Sequence, residues 1–190
     1  MGARDAGNEK AKEWAAAAGR GASSGSFADA AAFGEIVFNA TAGMGSVEAV
    51  RSAGRDNLRG KILVDLSNPL DFSRGMPPTL FTTPPGDSLA ERIQNEAPDT
   101  KVVKTLNTIN ASVMLDPGRT GGDSDLFIAG NDAAAKERII AFLKEFGWKR
   151  ILDLGDLTAA RGMEAYVLFW LMLFVSQKTP DFNIRVIKPS

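Results

Sequence analysis

The sequence contains neither cysteine nor histidine. Without Cys there is no disulfide, thiolate nucleophile or thiolate-bound metal. Without His, the Ser-His-Asp and Cys-His catalytic arrangements, histidine-ligated zinc and imidazole acid–base chemistry are all excluded. Neither sign of charge is in excess: 22 basic residues face 23 acidic ones, and no basic block occurs. A nucleic-acid or anionic-membrane partner is therefore not expected. Any catalysis must rest on carboxylates, Lys, Arg or the one Tyr, or on a cofactor that carries the chemistry.

Neither an export signal nor a myristoyl anchor is expected. Asp5 and Glu9 occupy the region where an export signal needs basic residues, and position six is Ala6, unlike a myristoylation motif. The longest apolar run, residues 165–175, extends about 16 Å as a helix against about 30 Å of bilayer hydrocarbon. The expectation is a cytoplasmic protein without a membrane partner. Its 190 residues, 44% hydrophobic and 24% charged, suit one globular domain or one with a small appendage.

What is present is an alternation of short apolar strands and helical stretches. Strands are expected at residues 35–40, 61–67, 101–106, 126–129 and 150–154, with a last extended segment at 182–187. Helices are expected at 8–18, 26–33, 46–53, 87–96, 132–146 and about 157–177, and a proline-punctuated loop at 68–85. Near-continuous apolar strands joined by helices imply a parallel sheet covered on both faces. The fold class read from this pattern is α/β and doubly wound. The run AYVLFWLMLFV in the last long helix is apolar all round, which points to burial on more than one side and to a homodimer.

Doubly wound sheets bind ligands beyond the C-terminal ends of their strands. Three strand ends carry polar or glycine-rich sequence. Gly43-Met44-Gly45 follows the strand ending at Ala40, but Glu48 stands where a dinucleotide fingerprint needs its third glycine, so a tight strand-to-helix turn is the better reading. In Asn68-Pro69-Leu70-Asp71, Pro69 holds Asn68 extended, which either aims its amide off the strand or lets it cap its own turn. Asn107-Thr108-Ile109-Asn110 follows a third strand. Among the carboxylates, Asp156 reads as a helix cap, and Asp65 is either functional or hydrogen-bonded at a sheet edge; no general base stands out.

In order, these segments resemble the family of coenzyme F420-dependent NADP reductases and their NADP-oxidoreductase-like relatives. The resemblance rests on DLSNPLDFSRGMPPTL from Asp65, VVKTLNTINASVM from Val102, FIAGNDAAAK from Phe127 and the closing DLGDLTAARGMEAYVLFW…TPDFNIRVI. It implies a Rossmann-like, mostly parallel sheet with a C-terminal helix and strand extension. Residues 1–117 would form the NADP-binding part, and 118–190 would complete the sheet within the same unit. It implies hydride transfer between NADP(H) and a deazaflavin such as coenzyme F420, or a similar small-molecule acceptor.

Residue by residue, the resemblance assigns Ala3 and Arg4, assisted by Lys10, to the NADP 2′-phosphate, and Asn39, Ala40 and Thr41 to the side of the dinucleotide. Asn68, Pro69 and Leu70 would border the nicotinamide; Asn107, Thr108, Ile109, Asn110 and Ala111, with Thr158 and Arg161, would line the acceptor pocket. Against the family pattern, the sequence opens inside the second strand, and the first strand, glycine-rich turn and helix have no counterpart in it. Such an N-terminally truncated sheet is expected to leave residues 35–40 as an apolar edge, 22–25 without a strand to pair with, and the chain with weak affinity for NADP(H). The alternative function class is a cofactor-free remnant serving as an oligomeric or binding module.

Overall fold

The centre of the protein is built from Ile62–Asp65 and Lys101–Thr105, whose Val-rich cores favour a pleated, doubly buried setting. The computed structural model describes residues 1–81 and 86–189; the Pro84-Pro85 end of the expected loop lies outside them. In chain order the elements are β1 (Gly2–Ala3), α1 (Glu9–Ala18), β2 (Gly25–Ser26), α2 (Phe27–Phe33), β3 (Ile36–Asn39), α3 (Gly43–Ala53) and α4 (Arg55–Leu58). They continue with β4 (Ile62–Asp65), β5 (Leu70–Asp71), β6 (Thr79–Leu80), α5 (Leu89–Glu96), β7 (Lys101–Thr105) and α6 (Ala111–Leu115). The chain closes with β8 (Asp125–Gly130), α7 (Ala133–Glu145), β9 (Arg150–Asp153) and α8 (Ala160–Gln177).

The main sheet has the order β3-β4-β7-β8-β9. Strands β3, β4 and β7 are parallel, β8 runs antiparallel to β7, and β9 is parallel to β8. Alternate residues of the central strands face opposite sides. Leu63 and Val102 join a core with Val50, Leu89 and Ile93, whereas Ile62, Val64 and Val103 join a second core with Ile128, Ile139 and Trp148. Helices therefore cover both faces, as the doubly wound expectation requires.

Several local expectations are corrected. The segment at 22–25 does not lack a neighbour: Gly25 and Ser26 pair in parallel with Gly2 and Ala3, forming a two-stranded ladder of their own. The expected loop at 68–85 contains the antiparallel β5–β6 ladder, because Phe81 N–H returns to the Pro69 carbonyl. Helix α3 begins at Gly43, three residues early, since glycine there permits a backbone approach that a side chain would block. Helix α5 begins two residues late, where Ser88 and Glu91 form a reciprocal capping box. Residues 182–187 form no strand and instead dock through Asp125, which donates its N–H to the Ile184 carbonyl and accepts from Val186 N–H.

Two side-chain expectations are also settled. Asp65 lies in β4 between β3 and β7, not at a sheet edge, and is fully buried. Asp156 caps the short 3-10 turn Leu157–Ala159 that precedes α8. The all-round apolar character of α8 does not translate into burial along its length within one chain. Ala160, Met163, Glu164 and Val167 are buried, but Phe169 is 53% and Met172 67% exposed. With its preceding turn, this helix is long and apolar enough to cross a membrane by length and composition.

The register places Asn39, Asp65 and Lys104 side by side across three strands. Lys104 Nζ, with no exposed surface, lies 2.8 Å from Asp65 Oδ2 and 3.0 Å from Glu164 Oε1, and donates to the Ser67 carbonyl. Glu164 in turn accepts the Leu89 and Ala90 N–H groups at the start of α5. Removing a single partner from such a cluster strands a buried charge, at a cost of roughly 3–5 kcal/mol. Lys104→Met should accordingly lower unfolding stability by about that amount in urea titrations; a loss below about 1 kcal/mol, typical of exposed pairs, would show that the cluster is not the clamp described here.

Candidate functional site

A cleft of about 560 Å³ opens at the C-terminal ends of β3 and β4. One wall is the β3–α3 turn, Ala40 to Met44; the other is Leu66 to Asn68 with Leu70 and Phe72. Ala111 and Met114 of α6 close a third side. Met44 and Phe72 are more than half exposed and form an apolar rim over a polar floor.

Glycine sets the depth of this cleft. A Cβ on Gly43 would sit 1.9 Å from the Asn68 carbonyl oxygen, so only glycine lets the first turn of α3 meet the end of β4. At Gly45 a Cβ would meet nothing closer than Arg4 Nη2, at 3.9 Å. That contact places the Arg4 guanidinium over the first turn of α3. Among the described residues Arg4 has no carboxylate within ion-pair distance. The turn has no side-chain cap, so its leading N–H groups and partial positive charge add to the arginine's.

The floor is tightly wired. Asn39 Nδ2 donates to Asp65 Oδ1 (2.8 Å), and Thr41 Oγ1 donates to Asn39 Oδ1 (2.7 Å). Asn68 and Asn107 bond reciprocally: Asn68 Nδ2 donates to the Asn107 carbonyl (2.8 Å), and Asn107 Nδ2 to Asn68 Oδ1 (2.9 Å). Leu106, at φ 64, turns the chain sharply after β7 and brings Asn107 back toward β4. Asn107 Oδ1 and Thr108 Oγ1 are buried without a protein partner among the described residues, leaving hydrogen-bonding capacity unspent at this strand end.

The structure thus brings together Ala40, Thr41, Asn68, Leu70 and Ala111, with Asn39 behind Thr41 and Asn107 behind Asn68. Arg4 reaches the same α3 turn from β1, following Ala3, while Lys10 stands exposed on α1 with no ion pair among the described residues. Other residues singled out in the sequence lie outside the lining of this cleft. Thr108 and Ile109 are buried, and Asn110 caps α6. Pro69 and Arg161 line a separate cavity of about 200 Å³ beside α5 and α8. There the Arg161 guanidinium binds both oxygens of Glu91 and holds that carboxyl below the usual carboxylate range. Thr158 bonds to Asp156, whose carboxyl it lowers. Sequence reasoning missed Lys104 and Glu164; a lysine inside the strand KVVKT and a glutamate in an otherwise apolar helix were the available signals.

The family profile described as NADP oxidoreductase, coenzyme F420-dependent, matches residues 1–69. A crystal structure from Arthrobacter sp. FB24, assigned as an F420-dependent NADP-reductase, is 52% identical; the match covers 87% of this chain and 75% of that one, with a TM-score of 0.84. The F420-dependent NADP reductase of Methanocaldococcus jannaschii is 31% identical over 132 residues, covering 70% of this chain and 59% of the relative. The rat metalloreductase STEAP3 is 34% identical over 125 residues, which is 66% of this chain and 23% of that protein. The chain spans about three-fifths of the length of the archaeal reductase it matches.

The two glycines separate packing from helix propensity. Gly43→Ala should cost about 1–3 kcal/mol or more by forced overlap. Gly45→Ala, with open space around it, should be neutral or stabilising by up to about 1 kcal/mol. Thermal melts of the two variants check this, and equal effects would contradict the close approach at Asn68.

Proposed function

Because this chain belongs to the family of coenzyme F420-dependent NADP oxidoreductases, we propose that its strand-end cleft binds NADP(H) and supports hydride transfer to a deazaflavin of the coenzyme F420 type. The observation that carries the reading is the Arg4 guanidinium lying over the uncapped first turn of α3 at the edge of the cleft. An arginine without a carboxylate partner beside a helix start that has no side-chain cap is a setting suited to phosphate. The residues fit the cofactor in a second respect: an apolar rim over a floor that carries Thr41, Ser67 and Asn68 suits a flat ring with polar substituents.

NADP(H) supplies the hydride chemistry when bound. Arg4 holds the 2′-phosphate, and the first N–H groups of α3 hold negative charge near it. The reciprocal Asn68–Asn107 pair keeps the cleft floor fixed, and Met44, Leu70 and Phe72 exclude water from it. Hydride transfer between two flat rings requires alignment and dryness more than a proton carrier. A chain without His or Cys can provide both. The cofactor-free reading offers no comparable account of the unpaired Arg4 and the polar floor.

For assembly, we propose that the exposed apolar face of α8 (Phe169, Met172 and Val175) packs against a second copy of the chain. A contiguous apolar surface of this kind is uncommon on a soluble monomer.

Two measurements test these readings. Calorimetric titration should show NADPH binding tighter than NADH, and Arg4→Ala should bring the two affinities to within about twofold, since an exposed charge contact contributes about 1 kcal/mol or less. Equal affinities in the unaltered chain would contradict the assignment, and NADPH binding without absorbance loss from added F420 would contradict the acceptor. Light scattering of detergent-free protein should give a dimer that Met172→Asp converts to monomer. A monodisperse native monomer, or recovery only with membranes, would contradict the dimer.

A further inference from the structure

The wiring of the cleft floor has a direction. Asp65, a carboxylate paired with the Lys104 ammonium, only accepts, and it takes the Asn39 Nδ2 proton at 2.8 Å. The orientation of the Asn39 amide follows from that bond, so Asn39 Oδ1 points to Thr41. Asn39 Oδ1 has no proton, and the Thr41 hydroxyl therefore spends its single proton on it, at 2.7 Å. The 2.8 Å contact between Thr41 Oγ1 and Ser46 Oγ then has one workable donor, Ser46; two lone pairs at that distance would repel. Ser46 is fully buried and approaches the Ala42 carbonyl only at 3.4 Å, which leaves its proton for Thr41. Thr41 Oγ1 thus donates inward, accepts once from Ser46, and keeps one lone pair on a half-buried side chain that lines the cleft.

We propose that Thr41 is a specificity-determining residue that presents the ligand with an acceptor only, so the group seated against it is an amide or ring N–H and not a carboxylate or phosphate oxygen. The surroundings select the N–H of a flat heterocycle over a sugar hydroxyl. Within the cleft, Met44, Leu66, Leu70, Phe72 and Met114 form apolar walls suited to a flat ring, while the Ser67 hydroxyl is bonded to Asp65 and both ends of the Asn68 amide are paired with Asn107, so a polyhydroxylated ring would find few partners. The buried Lys104 acts at a distance here: by fixing Asp65 as an acceptor, it sets the polarity of each bond out to Thr41. The inference rests on the reading of this cleft as the NADP(H) site.

The test uses nicotinamide, which carries an amide N–H, and nicotinate, its carboxylate counterpart, with NADP+ as reference. Binding is followed by amide chemical shifts at Thr41 and Ala42 in the whole chain. Nicotinamide should bind at least about tenfold tighter than nicotinate, equivalent to 1.4 kcal/mol. Thr41→Val should bring the ratio to within about twofold, and Thr41→Ser, which keeps the hydroxyl, should restore it. An unchanged ratio in a folded Thr41→Val variant overturns the proposal, as does equal binding of the two probes to the unaltered chain. If NADP+ shifts these amides but nicotinamide does not, the proposal fails while the cleft assignment stands. If NADP+ shifts neither amide nor any neighbour in the cleft, the cleft assignment fails and the proposal with it.

Discussion

The row Asn39–Asp65–Lys104 is the constraint on which the rest of this protein depends. Asn39 and Asp65, the last residues of β3 and β4, and Lys104, next to the end of β7, bond to one another across the sheet. A lysine with no exposed surface in a sheet is tolerable only with its donors filled, and Asp65, Glu164 and the Ser67 carbonyl fill them. Lys104 carries one positive charge against two carboxylates. The excess negative charge falls on Glu164, which is met by the N–H groups and partial positive charge at the start of α5. One cluster thus ties β3, β4 and β7 to the start of α5 and to α8.

The cleft follows from that cluster. With β3 and β4 ending opposite each other and β7 one residue beyond, three turns gather at that edge of the sheet. Gly43 lets the first approach the second to a distance that a methyl group would forbid. Leu106, in a left-handed conformation that non-glycine residues seldom adopt, turns the third back so that Asn107 meets Asn68. The same residues that keep the floor rigid also fix which of its atoms donate and which accept. Stability and recognition are here written in one hydrogen-bond network.

Much of the architecture was legible in the sequence because short, β-branched apolar runs such as VVKTL and FIAG alternate with longer helical patterns, which suits a covered sheet. The cap at Asp156 was equally readable from its position ahead of a helical pattern. The cluster at the centre was not. Asp65 and Lys104 are 39 residues apart, and only the β4–β7 register makes them neighbours. A sequence shows that each is a charge in an apolar strand, but not that the two answer each other. The Arg161–Glu91 pairing was hidden for a related reason: it joins α8 to α5 across 70 residues, and no spacing rule encodes it. The start of α3 was placed late because glycines read as a turn, although here they allow close packing within a helix.

The central claim is that one network beneath the strand ends builds one ligand cleft beside Arg4. Amide chemical-shift mapping with NADP+ tests it most directly across the whole chain. The account predicts that the shifted residues cluster at Arg4, at Asn39 to Gly45, at Ser67 to Leu70 and at Ala111. Shifts centred instead on Arg92 and Arg161 beside α5, or scattered without a cluster, would contradict it.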